Sequence, residues 1–496
     1  MSDDADGVTQ SLSSISEGAG LFFIGKGVAK TLGLILNVIL TRFLGSSLYG
    51  VYAYLNVLFS LITAFTTVGG GKSVMRFLPE YEDSPRKRQV VLTLAYGTAL
   101  LTSCVAAILI YILAPLISGV TLDNPLLTDI LQIAALVVPF NTLSQITYSV
   151  FKSIERMDYN VVVSSIAQPA FRLIFIGGAV VLGFSLVGAA AGIVVSAGLS
   201  LVTALIVFWD RTNLGSTAIP SKNEIKTYYN FSIPMTFNQL GGFLYNKIDL
   251  LMVGFFLPGS AVGIYNVSVL LSGILSLPLT GFAQLFPPIA SKLYHQGNKG
   301  ELESVYKTVT RLIFTITLFP AIAAFIFAPE LLRVFGEEFP QGQLVLILFV
   351  SAQLTNATVG PSGFLLMMSD RQYLTLINHL TAGILNIILN YVLILQYGFI
   401  GAALATASVL AGINILRIAE VWYLEGILPY NRSFTKPIIA GLVSGILMYL
   451  LTFVLEQYLL LVIGGCVGGI SFLLTLYYLG INKADIHMVR KALQSN

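Results

Sequence analysis

The decapeptide "FLGSSLYGVY" (residues 43–52) returns as "FLPGSAVGIY" (256–265), 213 positions later, keeping Phe, Leu, a Ser and the Gly-hydrophobic-Tyr ending. The same offset lays "VGAAAG" (187–192) on "IGAALA" (400–405), and "LAP" (113–115) meets "FAP" (327–329) at an offset of 214. Each match alone is weak, because small residues are common in membrane helices. Agreement of offset at three places implies an internal duplication, which decides how the chain is divided.

Working outward, 56% of the 496 residues are hydrophobic and 10% charged, and the mean hydropathy is +0.83. Long apolar runs with that composition define an integral membrane protein. A net charge of +3 carries no bulk argument for nucleic acid. The start, "MSDDADGVTQ", is acidic and no small-residue cleavage site follows the first apolar run, so that run is read as retained. Cys104 and Cys466 fall inside expected spans and suggest neither a disulfide framework nor a metal site.

A helix needs roughly 20 apolar residues to cross the hydrocarbon layer, and that ruler gives an all-α protein with about 14 transmembrane helices. The expected organisation is a cytosolic tail (1–17), a first six-helix bundle (18–210), a cytosolic linker (211–227) and a second six-helix bundle (228–424). Two extra transmembrane helices (437–480) and a second cytosolic tail (481–496) follow. Lys and Arg concentrate in alternate loops, above all in "KSVMRFLPEYEDSPRKR" (72–88), which places both termini in the cytoplasm of a multi-pass cell-membrane protein. An even number of spans separates the copies, so the repeats are parallel and related by an axis along the membrane normal around a central cavity. That is a transporter architecture.

The chain also resembles the polysaccharide or oligosaccharide flippases of the multidrug/oligosaccharidyl-lipid/polysaccharide (MOP) exporter superfamily. The resemblance runs along nearly the whole sequence, in "TRFLGSSLYGVYAY" after the first span, "RFLPEY" after the second, "FPPIASKLY" after the eighth and "NIILNYVLILQYGFIGAALATA" (386–407). It implies an alternating-access flippase moving lipid-linked oligosaccharide, on a polyisoprenyl phosphate or diphosphate, from the inner to the outer leaflet for surface polysaccharide or glycoprotein assembly. Implied partners are that substrate, membrane lipids and glycan-assembly enzymes, for a monomer with no cofactor, no metal and no nucleic acid.

Charges inside the spans are the candidate site. Lys26 and Lys30 in "GKGVAK" lie about 12 and 18 Å from the inner end of the first span at 1.5 Å per residue. The pair shares one helix face, and a lysine near mid-membrane costs about 2.5–3.5 kcal/mol or more on insertion scales. Such residues either pair with acids and carbonyls on other helices or face a wet cavity awaiting an anion. Adding 213 to Lys26, Lys30 and Leu34 gives Gln239, Phe243 and Lys247 on the seventh span, so the two helices are expected to present equivalent faces. With Arg172, about 18 Å into the fifth span, and Arg42 at the outer end of the first, the substrate-binding candidates are Lys26, Lys30, Arg42, Arg172, Gln239 and Lys247. A diphosphate bearing sugars suits such a set, since guanidinium grips phosphate bidentately and lysine serves as a point charge. Asp249 is an ion-pair partner or a cation-coupling site.

Two rivals differ in chemistry. A cation-coupled multidrug antiporter of the same superfamily needs buried carboxylates, whereas these spans hold more Lys and Arg than Asp and Glu. A membrane glycosyltransferase needs an exposed domain or acidic outer loops, and here the outer connections are short, so no enzyme is expected.

Overall fold

The computed structural model describes residues 2–121, 127–212, 217–368 and 372–480, with side chains from Gly25 onward except at 120, 211, 284, 285, 368, 372, 373 and 376. The tail at 481–496 and the side chains of the tail at 1–17 lie outside the described residues, among which no strand occurs. Packing divides the chain into two units, residues 1–263 and 264–496.

The first unit contains α1 (Ser2–Thr66), α2 (Gly70–Glu80), α3 (Pro85–Val120), α4 (Leu127–Ala134), α5 (Val137–Ser153), α6 (Met157–Val181), α7 (Ser185–Arg211) and α8 (Lys222–Phe256). The division falls inside α9 (Gly259–Ser272). By length and apolarity ten helices among the described residues can cross a membrane, or eleven if the bent pair α4 and α5 is one span. The expected count of 14 is larger for two physical reasons. The long α1 is two helices joined at Gly45 (φ 69°, ψ 178°), and a later one is broken in the same way. That corner of backbone space is open essentially to glycine alone. The second reason is α8, whose Asn238, Gln239, Asn246, Lys247 and Asp249 lower its apolarity.

Across the Gly45 break the halves of α1 are tied together, since Tyr49 Oη donates to Asn37 Oδ1 at 2.6 Å and Asn37 Nδ2 donates to the Gly33 carbonyl at 2.7 Å. The core of the unit gathers Val74, Phe77 and Leu78 of α2, spaced for one helix face, against Leu92 of α3, Ile146 and Phe151 of α5, Phe208 of α7 and Tyr228 of α8. On α3, Leu101, Ile108, Ile112 and Leu116 point outward at 59–68% exposure, the band a lipid-facing helix requires. Lipid is as apolar as these side chains, so helices associate in it by close fit rather than by hydrophobic expulsion. At the α1–α9 crossing the fit is glycine against glycine: a Cβ on Gly50 would stand 1.7 Å from the Gly259 carbonyl oxygen.

The second unit continues with α10 (Leu277–His295), α11 (Lys299–Ile326), α12 (Ala328–Arg333), α13 (Gln343–Val359), α14 (Ser362–Met368), α15 (Gln372–Glu425), α16 (Thr435–Leu451) and α17 (Gln457–Tyr478). Here α15 is the second broken helix, with Gly398 at φ 60°, ψ −141°. The quoted stretch 386–407 lies around that break. Its asparagines brace the hairpin, as Asn390 Nδ2 donates to Asn386 Oδ1 at 2.6 Å and Thr406 Oγ1 donates to the same oxygen at 3.2 Å. Ser185, which the 213 offset pairs with Gly398, also has positive φ, at 50°. Phe286, Tyr306, Ile313, Leu366, Ala440 and Phe472 form the core, so α16 and α17 pack into this unit.

Candidate functional site

In the first unit, faces of α1, α5, α6, α7 and α8 enclose a cavity of about 610 Å³. Each helix contributes residues at helical spacing: Asn56, Ser60 and Thr63 from α1, with Thr67 in the turn that follows it, Gln168 and Arg172 from α6, Ser196 and Ser200 from α7, and Gln239, Phe243 and Lys247 from α8. The wall from α5 holds Asn141, Ser144, Gln145, Tyr148 and Ser149. Among the described residues lining the cavity there is no carboxylate.

Arg172 is aimed by its helix and by α1. Two π-helical stretches, Val161–Ala167 and Leu173–Gly177, flank the α-helical turn Gln168–Arg172. Pro169 has no N–H to give to the preceding turn, and such local widening is frequent at functional positions. The Arg172 guanidinium donates from Nη2 to Tyr52 Oη at 3.2 Å and to Asn56 Oδ1. Asn56 in turn donates Nδ2 to the Tyr52 carbonyl at 2.8 Å, which leaves its oxygen facing the guanidinium. One turn on, Ser60 Oγ accepts from Lys247 Nζ at 3.3 Å. Gln239 Oε1 accepts from Thr67 Oγ1 at 3.3 Å. A single polar stripe on α1 and the turn after it therefore holds both cations and the amide, and Arg172 and Lys247 lie within each other's field. Two like charges in a partly desolvated, carboxylate-free cavity are a standing cost that an entering anion would relieve.

Of the residues expected from the sequence, the structure brings Arg172, Lys247 and Gln239 together. Lys26 and Lys30 are exposed on the first half of α1 and do not line this cavity. Lys26 instead shares the field of Lys30 and of Lys152, and Lys152 also feels Lys72. Arg42 is exposed near the end of that half-helix. Asp249 is 4% exposed, accepts the Leu250 N–H at 2.9 Å on Oδ1, and also stands outside the lining. The residues that sequence reasoning passed over are the neutral ones, Asn56 and Ser60 and the α5 wall. Their signal is present in the sequence as polar side chains recurring at i, i+4, i+7 inside apolar spans.

This arrangement defines a class, a polytopic all-helical fold with a cationic cavity. Its coordinates are similar to those of a lipid II flippase, MurJ, in an inward closed conformation (TM-score 0.73, 18% identity, covering 92% of this chain and 97% of that one). They are also similar to an inward-facing multidrug resistance MATE family transporter of the MOP superfamily (TM-score 0.65, 14% identity, 82% and 96%). The model of the polysaccharide biosynthesis protein family matches residues 15–294 and the MatE model residues 234–392. The chain belongs to the polysaccharide biosynthesis protein family. Over 213 residues it is 27% identical to the probable low-salt glycan biosynthesis flippase Agl15 of Haloferax volcanii; the match covers 42% of this chain and 45% of the length of that relative.

Proposed function

We propose that the protein is a non-catalytic, alternating-access flippase that moves a lipid-linked oligosaccharide from the inner to the outer leaflet of the cell membrane, with both termini cytoplasmic. The observation that carries this reading is the sign of the cavity: Arg172 and Lys247 with neutral amides and hydroxyls around them and no carboxylate on the wall. Guanidinium takes phosphate oxygens in a fork and the ammonium adds a point charge. The surrounding hydrogen-bonding groups offer water-like solvation to sugar hydroxyls at a depth where the bilayer offers none. Lys26, Lys30, Lys72 and Lys152 add positive charge toward the cytoplasmic side, where they draw the phosphorylated headgroup in. Family membership and the names of the flippase relatives support the same assignment.

The second reading is a cation-coupled antiporter, favoured by the MatE match over 234–392 and by the buried Asp249. A cationic drug entering a cavity already holding two cations would be repelled. Proteoliposomes carrying a fluorescent polyprenyl-linked oligosaccharide in the inner leaflet decide between them. The flippase reading expects protein-dependent appearance of the glycan outside and no exchange of a lipophilic cation against protons or Na⁺. Cation exchange without glycan movement would assign the protein to the antiporters.

A further inference from the structure

Building on the flippase reading, we infer that α5 carries a glycan subsite separate from the cationic pole at Arg172 and Lys247, and that it recognises the sugar attached next to the lipid phosphate. Asn141, Ser144, Gln145, Tyr148 and Ser149 stand at i, i+3, i+4, i+7 and i+8, one continuous face of α5 turned to the cavity. The polar residues on the other faces of the same helix are spoken for. Thr142 shares a hydrogen bond of 2.7 Å with Thr66, and Thr147 one of 2.9 Å with Tyr96.

The cavity face is different. Tyr148 and Ser144 are 5% and 2% exposed, their hydroxyls lie one turn apart within each other's reach, and neither makes a hydrogen bond of ordinary geometry to any other protein group. Buried hydroxyls without partners are rare because burial removes their water and returns nothing. Ser149 Oγ donates to the Gln145 carbonyl at 2.9 Å and keeps its lone pairs for an acceptor role. Asn141 and Gln145 present both an amide N–H₂ and a carbonyl.

The chemistry of this face selects its ligand. It has no formal charge, so a phosphate is better held by the cations and a metal ion has no carboxylate to bind. Alternating donors and acceptors at helical spacing match the vicinal hydroxyls and N-acetyl groups of a sugar. Phe59 and Phe243, both mostly buried and both lining the cavity, supply apolar ring surface for the C–H faces of such a ring. A Cβ on Gly71 would stand 2.7 Å from Ser149 Oγ, so the absent side chain keeps the edge of the subsite open.

The test uses the full-length protein in lipid nanodiscs and two probes, polyprenyl phosphate alone and the same lipid bearing a disaccharide on its phosphate. The readout is the ratio of the two affinities. The wild type is expected to bind the glycosylated probe at least tenfold more tightly. Asn141→Ala with Gln145→Ala should bring that ratio to within about twofold of unity, a loss of about 1.4 kcal/mol for each factor of ten. Tyr148→Phe, which removes one hydroxyl and keeps the ring, should narrow it partway and serves if the double variant unfolds. Arg172→Ala should weaken both probes and leave the ratio in place. A ratio near unity in the wild type, or a ratio untouched by the α5 substitutions in folded protein, overturns the subsite while the flippase reading stands. Binding of neither probe by the wild type sinks both.

Discussion

Gly50 and Gly263, the equivalent glycines of the two repeated decapeptides, meet in the first unit. A Cβ on Gly50 would stand 2.9 Å from the Gly263 nitrogen, and one on Gly263 would stand 3.3 Å from the Gly50 nitrogen. The repeated motif is thus a packing device. Ser46 takes part as well, its carbonyl oxygen 2.2 Å from where the Gly263 Cβ would be. In lipid, such backbone-to-backbone approach replaces the hydrophobic drive that is missing between helices.

Gly50→Val should therefore separate α1 from α9. The expected loss is about 1–3 kcal/mol or more, the range for forcing extra carbons into a packed site. Thermal unfolding in detergent measures it, with Gly97→Ala as the comparison. No atom lies within 4 Å of a Cβ at Gly97, on α3, and that change should stabilise slightly, by about 0.5–1 kcal/mol. Equal stability of the two variants would contradict the role given to the glycine contact.

Removing Arg172 should abolish transport without unfolding the protein. Arg172→Ala relieves like-charge repulsion with Lys247 and leaves only the neutral groups of Tyr52 and Asn56 behind. Flipping should fall at least tenfold, while the midpoint of unfolding stays level or rises. Arg172→Lys should retain part of the activity, because charge is kept and the forked donor geometry is lost. A destabilised alanine variant would mark Arg172 as structural.

Glu224 should give the N-terminal end of α8 an acid-sensitive contribution. The Ser221 backbone N–H first, and Arg86 next (Nη1 to Oε1, 2.7 Å), hold its carboxyl down at about 2 from an ordinary 4.5. Since the folded-state value is depressed, the stabilisation is fully present above about 4.5 and is lost as pH falls toward about 2. Glu224→Gln should unfold at a lower temperature than wild type near neutral pH, and the gap should close on acidification through that window. A gap that does not change with pH would assign the effect to the Ser221 capping box geometry alone.

Sidedness is checked by labelling. In a background without Cys104 and Cys466, both of which are exposed, single cysteines at Asp83 and Glu337 should react with an impermeant reagent from opposite sides of the membrane, Asp83 from the cytoplasmic side. Asn124, on the outer connection expected between the third and fourth spans, lies outside the described residues. Reaction of both cysteines from one side would overturn the proposed orientation.

Much of this protein is written along the chain itself. The hydrocarbon thickness turns apolar run length into helices, the asymmetry of Lys and Arg gives the orientation to be tested, and the 213-residue offset exposes the duplication whose glycines meet. The excess of cations over carboxylates within the spans set the sign of the expected ligand. Which polar side chains share a cavity was decided only in three dimensions. A residue on a helix turns by about 100° from its neighbour, and α5 is polar on several faces, so nothing local says that Ser144 and Tyr148 face the cavity while Thr142 and Thr147 bond to other helices. The same holds for the lysines. Lys26, Lys30 and Lys247 look like one ladder in sequence, yet the break at Gly45 turns the second half of α1 back along the unit, and it is that half, through Tyr52, Asn56 and Ser60, that receives Arg172 and Lys247.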